Sequence, residues 1–263
     1  MPARPFLPAL EGLRAIACTG IIVTHVAFQT GADTGNLFNR MMARTDFFVP
    51  VFFALSGFLL WRRHSADFRT GESLASYYVK RIGRIMPAYW VVVVLVLAVF
   101  PVAGRPSVLQ AFSNLVLAQI YVPGGLLGGL THLWSLCVEM AFYLVLPVIA
   151  VAIGRRSHKV RLVAVVCIAA ISFGWGFLPA FAEAPGPGEL NPHIMPPAFA
   201  SWFAVGILSA ELEGVPGPRV VRFLQRFRLM FWALAVVMLA VAASYGPEGL
   251  TSATPAEFAR RTL

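Results

Sequence analysis

The chain has 263 residues, of which 58% are hydrophobic, 13% aromatic and only 13% charged, and its mean hydropathy is +0.74. Soluble domains average about 25% charged residues, so the composition excludes a disordered chain, a disulfide scaffold and an ordinary cytosolic enzyme, and leaves a polytopic membrane protein. The net charge of +9 would suggest nucleic acid in a soluble protein. Here the basic residues cluster in a few short connecting segments, so they report topology and no nucleic-acid partner is expected.

A spanning helix needs about 20 largely apolar residues. In chain order the sequence predicts spans at 12–30, 47–61, 86–104, 132–153, 160–180, 196–210 and 229–246, the second and sixth short enough to need their flanks. The first opens with Glu11 and Arg14 and lacks a small-residue cleavage pattern, so it reads as a retained span, not a signal peptide. A further stretch, 107–121, carries Gln110, Asn114 and Gln119.

The positive-inside rule decides its place. Segment 62–84 holds Arg62, Arg63, Arg69, Lys80, Arg81 and Arg84; 154–161 holds Arg155, Arg156, Lys159 and Arg161; 211–228 holds Arg219, Arg222, Arg226 and Arg228. All three belong on the cytoplasmic side. Stretches 31–46 and 181–195 (Asp33, Asp46, Glu183, Glu189) belong outside. Two spans must then separate 62–84 from 154–161, which leaves 107–121 on the outer surface or re-entrant. The expected fold is all-α: a polytopic transmembrane helix bundle of about seven spans, amino terminus cytoplasmic, in a single membrane-embedded domain over 1–263. No internal repeat, long linker or second domain is visible.

Ionisable groups within a span are costly and mark function by default. The first span carries Arg14 and His25, eleven residues apart and therefore about 16 Å apart along a helix but only about 20° apart around it. A plainer reading has Arg14 snorkelling to the inner interface and His25 bonded within the bundle. The fourth span carries Glu139, about 10 Å along the helix from His132, near the depth expected of His25. A carboxylate and an imidazole at one depth suit general base catalysis or a proton relay in a transporter. A His25–His132–Glu139 zinc set is conceivable by ligand type, but no local motif supports it and no metal is expected. The cysteines, Cys18, Cys137 and Cys167, have no metal-binding spacing.

His64 and His158 fall in basic segments and read as solvated; His193, in the outer proline-rich loop, reads as loop surface. Trp61, Tyr89, Trp90, Tyr121 and Trp134 fall near predicted interfaces and read as anchors. Ser56-Gly57 reads as a point of close helix approach. Arg81 and Arg84, three apart before the third span, would share a helix face and can clamp a phosphate-bearing ligand at the cytoplasmic mouth.

Taken together these segments resemble the acyltransferase 3 family of integral membrane acyltransferases. ALEGLRAIA (9–17) leads to His25, FFALSGFLL (52–60) resembles the family's second-span signature, and KRIGRIMPAYW (80–90) its Arg-x-x-Arg followed by proline and an aromatic. THLWSLCVEMAFYLVLP (131–147) and FAVG (203–206) follow in order, so the resemblance covers 6–210. It implies transfer of an acyl group, usually acetyl, from cytoplasmic acyl-coenzyme A to a hydroxyl of a glycan, glycolipid or small molecule at the cell membrane. The implied catalytic residues are His25 with Arg14 as its partner and Glu139 in support. Arg81 and Arg84 would lie at the coenzyme A end, and His132 and Trp134, at the outer end of the fourth span, on the substrate side. The expected partners are the lipid bilayer, acyl-coenzyme A and a glycan or glycolipid acceptor.

Two departures stand out: Pro50 occupies a position where many relatives have Asp, and Met140-Ala141 follows Glu139. Relatives also carry several spans after the Phe-x-x-Gly helix where this sequence has one, which reads as a truncated C-terminus. A proton-coupled transporter or flippase, and an inactive truncated subunit, are the competing expectations.

Overall fold

The structure is a computed structural model that describes residues 7–31, 36–70, 74–181, 183, 185–186, 188–213, 215, 217–245 and 254–262, without the side chains of 66–70, 218, 220, 221, 245 and 260–262. Asp33 and the Arg69 side chain, used in the topology argument, lie outside the described residues. Among the described residues the secondary structure is helical throughout. The helices are α1 (Pro8–Thr30), α2 (Leu37–Ala43), α3 (Phe48–Thr70), α4 (Leu74–Val99), α5 (Val108–Leu115), α6 (Trp134–Gly154), α7 (His158–Trp175), α8 (Ala200–Glu211), α9 (Pro218–Arg226), α10 (Arg228–Tyr245) and α11 (Pro255–Thr262).

Among the described residues five helical stretches are long and apolar enough to cross a membrane: Pro8–Thr30, Leu37–Ser65, Leu74–Val99, Thr131–Gly154 and His158–Trp175, and Arg228–Ser244 is a shorter apolar helix. Their outward faces carry exposed valines and leucines, Val91, Val94, Leu95, Val163, Val166 and Val236 among them, as lipid-facing helices do. The predicted span at 196–210 is shorter than expected. Pro192, Pro196 and Pro197 break its start into two 3-10 turns, and α8 has only 12 residues, about 18 Å of helix against about 30 Å of hydrocarbon. Segment 107–121 holds the eight-residue α5, opened by a Ser107–Gln110 capping box, too short to cross. The predicted 62–84 loop is almost wholly helical, because α3 runs on to Thr70 and α4 starts at Leu74; lysine and arginine favour helix, so a charge cluster does not end one.

The chain forms two compact units, Met1–Arg62 with Trp202–Ser252 and Ala256–Leu263, and Arg63–Ser201 with Ala253–Pro255. In the first, Pro8 opens α1 and Gly31, with φ of 68°, closes it in the left-handed cap. The packed stripe of α1 is Ala17, Gly20, Thr24 and Ala27, against α2 and the 3-10 turn Arg44–Phe47. Glycine at 20 is needed there: a Cβ would run into the Phe48 ring. The Thr45 hydroxyl sits 2.7 Å from the Gly20 carbonyl oxygen, 2.6 Å from that of Met42 and 2.8 Å from the Thr24 hydroxyl. It supplies polar partners that hydrocarbon cannot.

The same unit holds a second close approach. A Cβ on Gly57 would overlap the carbonyl oxygen of Phe203, and one on Gly206 that of Ala54, so α3 and α8 cross backbone to backbone. Phe53 stacks on Phe203 with ring centroids 4.5 Å apart. Beyond the crossing, Trp61 Nε1 donates to Glu211 at 2.7 Å and Arg62 Nε to Glu213 at 2.7 Å. In the second unit, α6 buries Trp134, Cys137, Val138, Phe142, Tyr143, Leu146 and Ala150, against α4, α7 and the turn Pro196–Phe199. His193 is fully buried there, edge-on to Phe181, because the proline-rich loop folds back and Trp175 Nε1 bonds the Pro192 carbonyl at 2.9 Å. Its reading as loop surface is corrected.

Two stability outcomes follow. Gly206→Val should destabilise the fold by about 1–3 kcal/mol or more, read as a lower thermal unfolding midpoint in detergent; an unchanged midpoint would show that the crossing tolerates a side chain. Thr45→Val, which strips partners from Gly20 and Thr24, should cost about 1–3 kcal/mol, and Thr45→Ser distinctly less in the same measurement.

Candidate functional site

Arg14 and His25 both lie on α1 and both are half-buried. By helical geometry their shared line lies about 100° around the axis from the packed stripe of Ala17, Gly20, Thr24 and Ala27. They therefore flank the contact with α2 and stay off its centre. Arg14 Nη1 lies 3.3 Å from Glu11 one turn earlier. His25 directly follows Thr24, whose hydroxyl meets Thr45; the register of the imidazole is thus set by the packed stripe next to it.

The second unit assembles a cluster from three helices. Arg81 on α4 is half-buried, its guanidinium carbon 5.9 Å from the ring centre of Tyr77 and 5.9 Å from that of Tyr143, a cation–π seat on two faces. Tyr77 lies one turn before Arg81 on α4, and its hydroxyl donates to the Tyr143 carbonyl on α6 at 3.2 Å. Tyr78 does the same to Leu144 at 3.0 Å, so α4 and α6 are fastened at this level. The Tyr143 hydroxyl donates to the carboxylate of Glu139, one turn earlier on α6. The His64 ring of α3 packs edge-on to Tyr77 with ring centroids 5.3 Å apart. Arg63 and Arg84 place further positive charge around Arg81.

This brings Arg81 and Glu139 into one connected arrangement through Tyr143. Arg84 is exposed beside it, so the two arginines differ: one is seated in aromatic rings, the other faces outward. His64, read as solvated, is half-buried because α3 continues through it. The sequence reading missed Tyr77 and Tyr143. Their signal was the spacing: Tyr77 and Arg81, and Glu139 and Tyr143, are both at i and i+4, one helix face each.

His132 lies in the 3-10 turn Thr131–Leu133 and is exposed, whereas Trp134, at the start of α6, is buried with its ring 5.0 Å from that of Phe199. Trp134, Trp61 and Tyr89, read as interfacial anchors, are buried with partners, Tyr89 bonding the Asn114 carbonyl; Trp90 and Tyr121 are exposed. Among the described residues no three His, Cys, Asp or Glu side chains converge as metal ligands would.

The family description "Acyltransferase domain" matches residues 7–258. The peptidoglycan O-acetyltransferase OatA of Listeria monocytogenes is 25% identical over 193 residues, 66% of this chain and 29% of that protein. The O-acetyltransferase OatA of Staphylococcus aureus is 28% identical over 169 residues, 57% of this chain and 26% of that protein. The chain thus spans less than a third of the length of either relative. No solved structure matches it. With the match running from the start of α1 into α11, through Arg14, His25, Arg81 and Glu139, the chain belongs to the acyltransferase 3 family of multi-pass membrane acyltransferases.

Proposed function

We propose that the chain transfers an acetyl group from cytoplasmic acyl-coenzyme A to a hydroxyl of a cell-envelope glycan or glycolipid, within the plasma (inner) membrane and with its amino terminus inside. The observation that carries this reading is the seated arginine. Arg81, held by two tyrosine rings and flanked by Arg63 and Arg84, is a prepared site for the phosphates of an acyl-coenzyme A. Guanidinium groups suit phosphate oxygens, and a fixed one loses less freedom on binding. A nucleotide thioester is too polar to cross hydrocarbon, so its phosphates stay at the membrane face while the thin pantetheine arm enters between helices. Membership of a family with relatives named O-acetyltransferases supports the reaction class.

In this reaction an imidazole nitrogen of His25 takes the proton of the acceptor hydroxyl. The hydroxyl oxygen bonds to the thioester carbon, the carbon–sulfur bond breaks, and the thiolate leaves with the proton returned by the imidazolium. Transfer through an acyl-histidine is the other order of events. Arg14, on the same line of α1, supports the charge of that site, and Glu139 is held in one orientation by Tyr143. His132 and Trp134 serve the acceptor side. The relative named for peptidoglycan makes a glycan acceptor the first to test.

The test is transfer of label from acetyl-labelled acetyl-coenzyme A into envelope glycans and lipids by membranes bearing the full chain. His25→Ala at equal abundance should lower transfer by about 100-fold or more; equal labelling by both proteins would sink the reading. Tyr143 separates two effects. Tyr143→Phe keeps the ring over Arg81 and removes the bond to Glu139, so kcat should fall while KM for acetyl-coenzyme A holds. Arg81→Gln should instead raise that KM about tenfold or more. A Tyr143→Phe protein with a raised KM and an intact kcat would contradict this division.

A further inference from the structure

α9 is a short helix with two unlike faces. On α9, Arg219, Arg222 and Arg226 fall within about 60° of one another around the axis; Phe223 borders that strip about 40° from Arg219, and Phe227, just past the helix end, and Leu224 carry the apolar side round to about 140°. Phe223 and Leu224 are 52% and 48% exposed, and the Phe223 and Phe227 rings lie 4.7 Å apart as one apolar surface. From Gly214 to Pro247 the sequence has no acidic residue, and Arg228 follows at the start of α10.

Phe227 is the only residue between α9 and α10. Phe227 departs from helical geometry, with φ of −100° and ψ of 13°, while its N–H bonds the Phe223 carbonyl at 3.0 Å and its carbonyl accepts from Phe231 N–H at 3.1 Å. The next turns of α10 expose Leu229, Met230, Trp232, Leu234, Val236 and Val237, an apolar surface suited to lipid. α9 therefore ends where a lipid-facing helix begins. Water suits its arginines but not its phenylalanines, and the hydrocarbon interior the reverse. The boundary between them suits both.

We propose that α9 is an in-plane membrane-surface helix that binds anionic phospholipid headgroups through Arg219, Arg222 and Arg226. Its apolar face enters the acyl boundary and its arginine face meets the lipid phosphates, which also holds α10 at a fixed depth. A soluble anion would satisfy the arginines and leave Phe223 and Leu224 in water; an anionic lipid satisfies both faces.

The experiment uses the full chain in phosphatidylcholine vesicles carrying trace spin-labelled phosphatidylglycerol or spin-labelled phosphatidylcholine. Electron paramagnetic resonance reads the motionally restricted fraction of each. The parent chain should prefer phosphatidylglycerol by about fivefold or more, since one basic residue at a membrane surface already contributes about a fivefold preference. The Arg219→Gln, Arg222→Gln, Arg226→Gln triple variant should lower that ratio by about fivefold or more, and the matching Arg→Lys triple should keep it. Arg155→Gln, Arg156→Gln, Arg161→Gln, in another basic segment, should lower it distinctly less than the α9 triple does. Arg222→Gln alone should lower the preference measurably and serves if the triple fails to fold. A preference that survives loss of the α9 arginines, or that disappears with the 155–161 substitutions instead, overturns the proposal.

Discussion

Hydrocarbon offers no hydrogen bonds, so polar groups on these helices are drawn to partners within the chain. That constraint explains why the polar side chains here occur in linked sets. Thr45 serves Gly20, Met42 and Thr24, and Tyr77 and Tyr78 serve carbonyls of α6. Trp61 serves Glu211, and Tyr143 serves Glu139. Each bond replaces a water the bilayer cannot supply, and each ties together two elements or two turns of one helix. The polar groups that a membrane would penalise are thereby the fastenings of the fold.

Close helix approach is the complement of those bonds. Without a hydrophobic driving force between helices in lipid, packing depends on contact, and Gly20, Gly57 and Gly206 remove the side chains that would hold the backbones apart. The serine–glycine of α3 and the phenylalanine-to-glycine motif of α8 are two halves of one crossing. Two motifs that look separate in sequence meet at this contact. Their spacing of some 150 residues hides the pairing, because nothing local to either says which helix it meets.

The cluster around Arg81 shows how a charge is kept ready in such a setting. Two tyrosine rings give the guanidinium favourable faces without neutralising it, as a carboxylate would. Its positive charge stays available to an anion, while the hydroxyl of one of those rings fixes the carboxylate of Glu139 one turn away. One side chain thus touches both a cation suited to phosphate and an acid suited to proton handling.

The sequence by itself determined the class of the molecule. Apolar runs with few charges demand helices in lipid; Arg14 and His25, eleven residues apart, must share a line on α1; Gln110 and Asn114 mark 107–121 as a poor crossing segment. Those properties are local, fixed by composition and the 3.6-residue period. Only the tertiary structure decided which polar group meets which. It carried α3 and α4 helically through the basic segment, seated Arg81 between Tyr77 and Tyr143, and buried His193 and Trp134. The physical reason is that helix periodicity places a residue on a face but not opposite any particular neighbour. That neighbour is chosen by backbone approach at small residues and by the need to satisfy buried polar groups, both properties of pairs of distant segments.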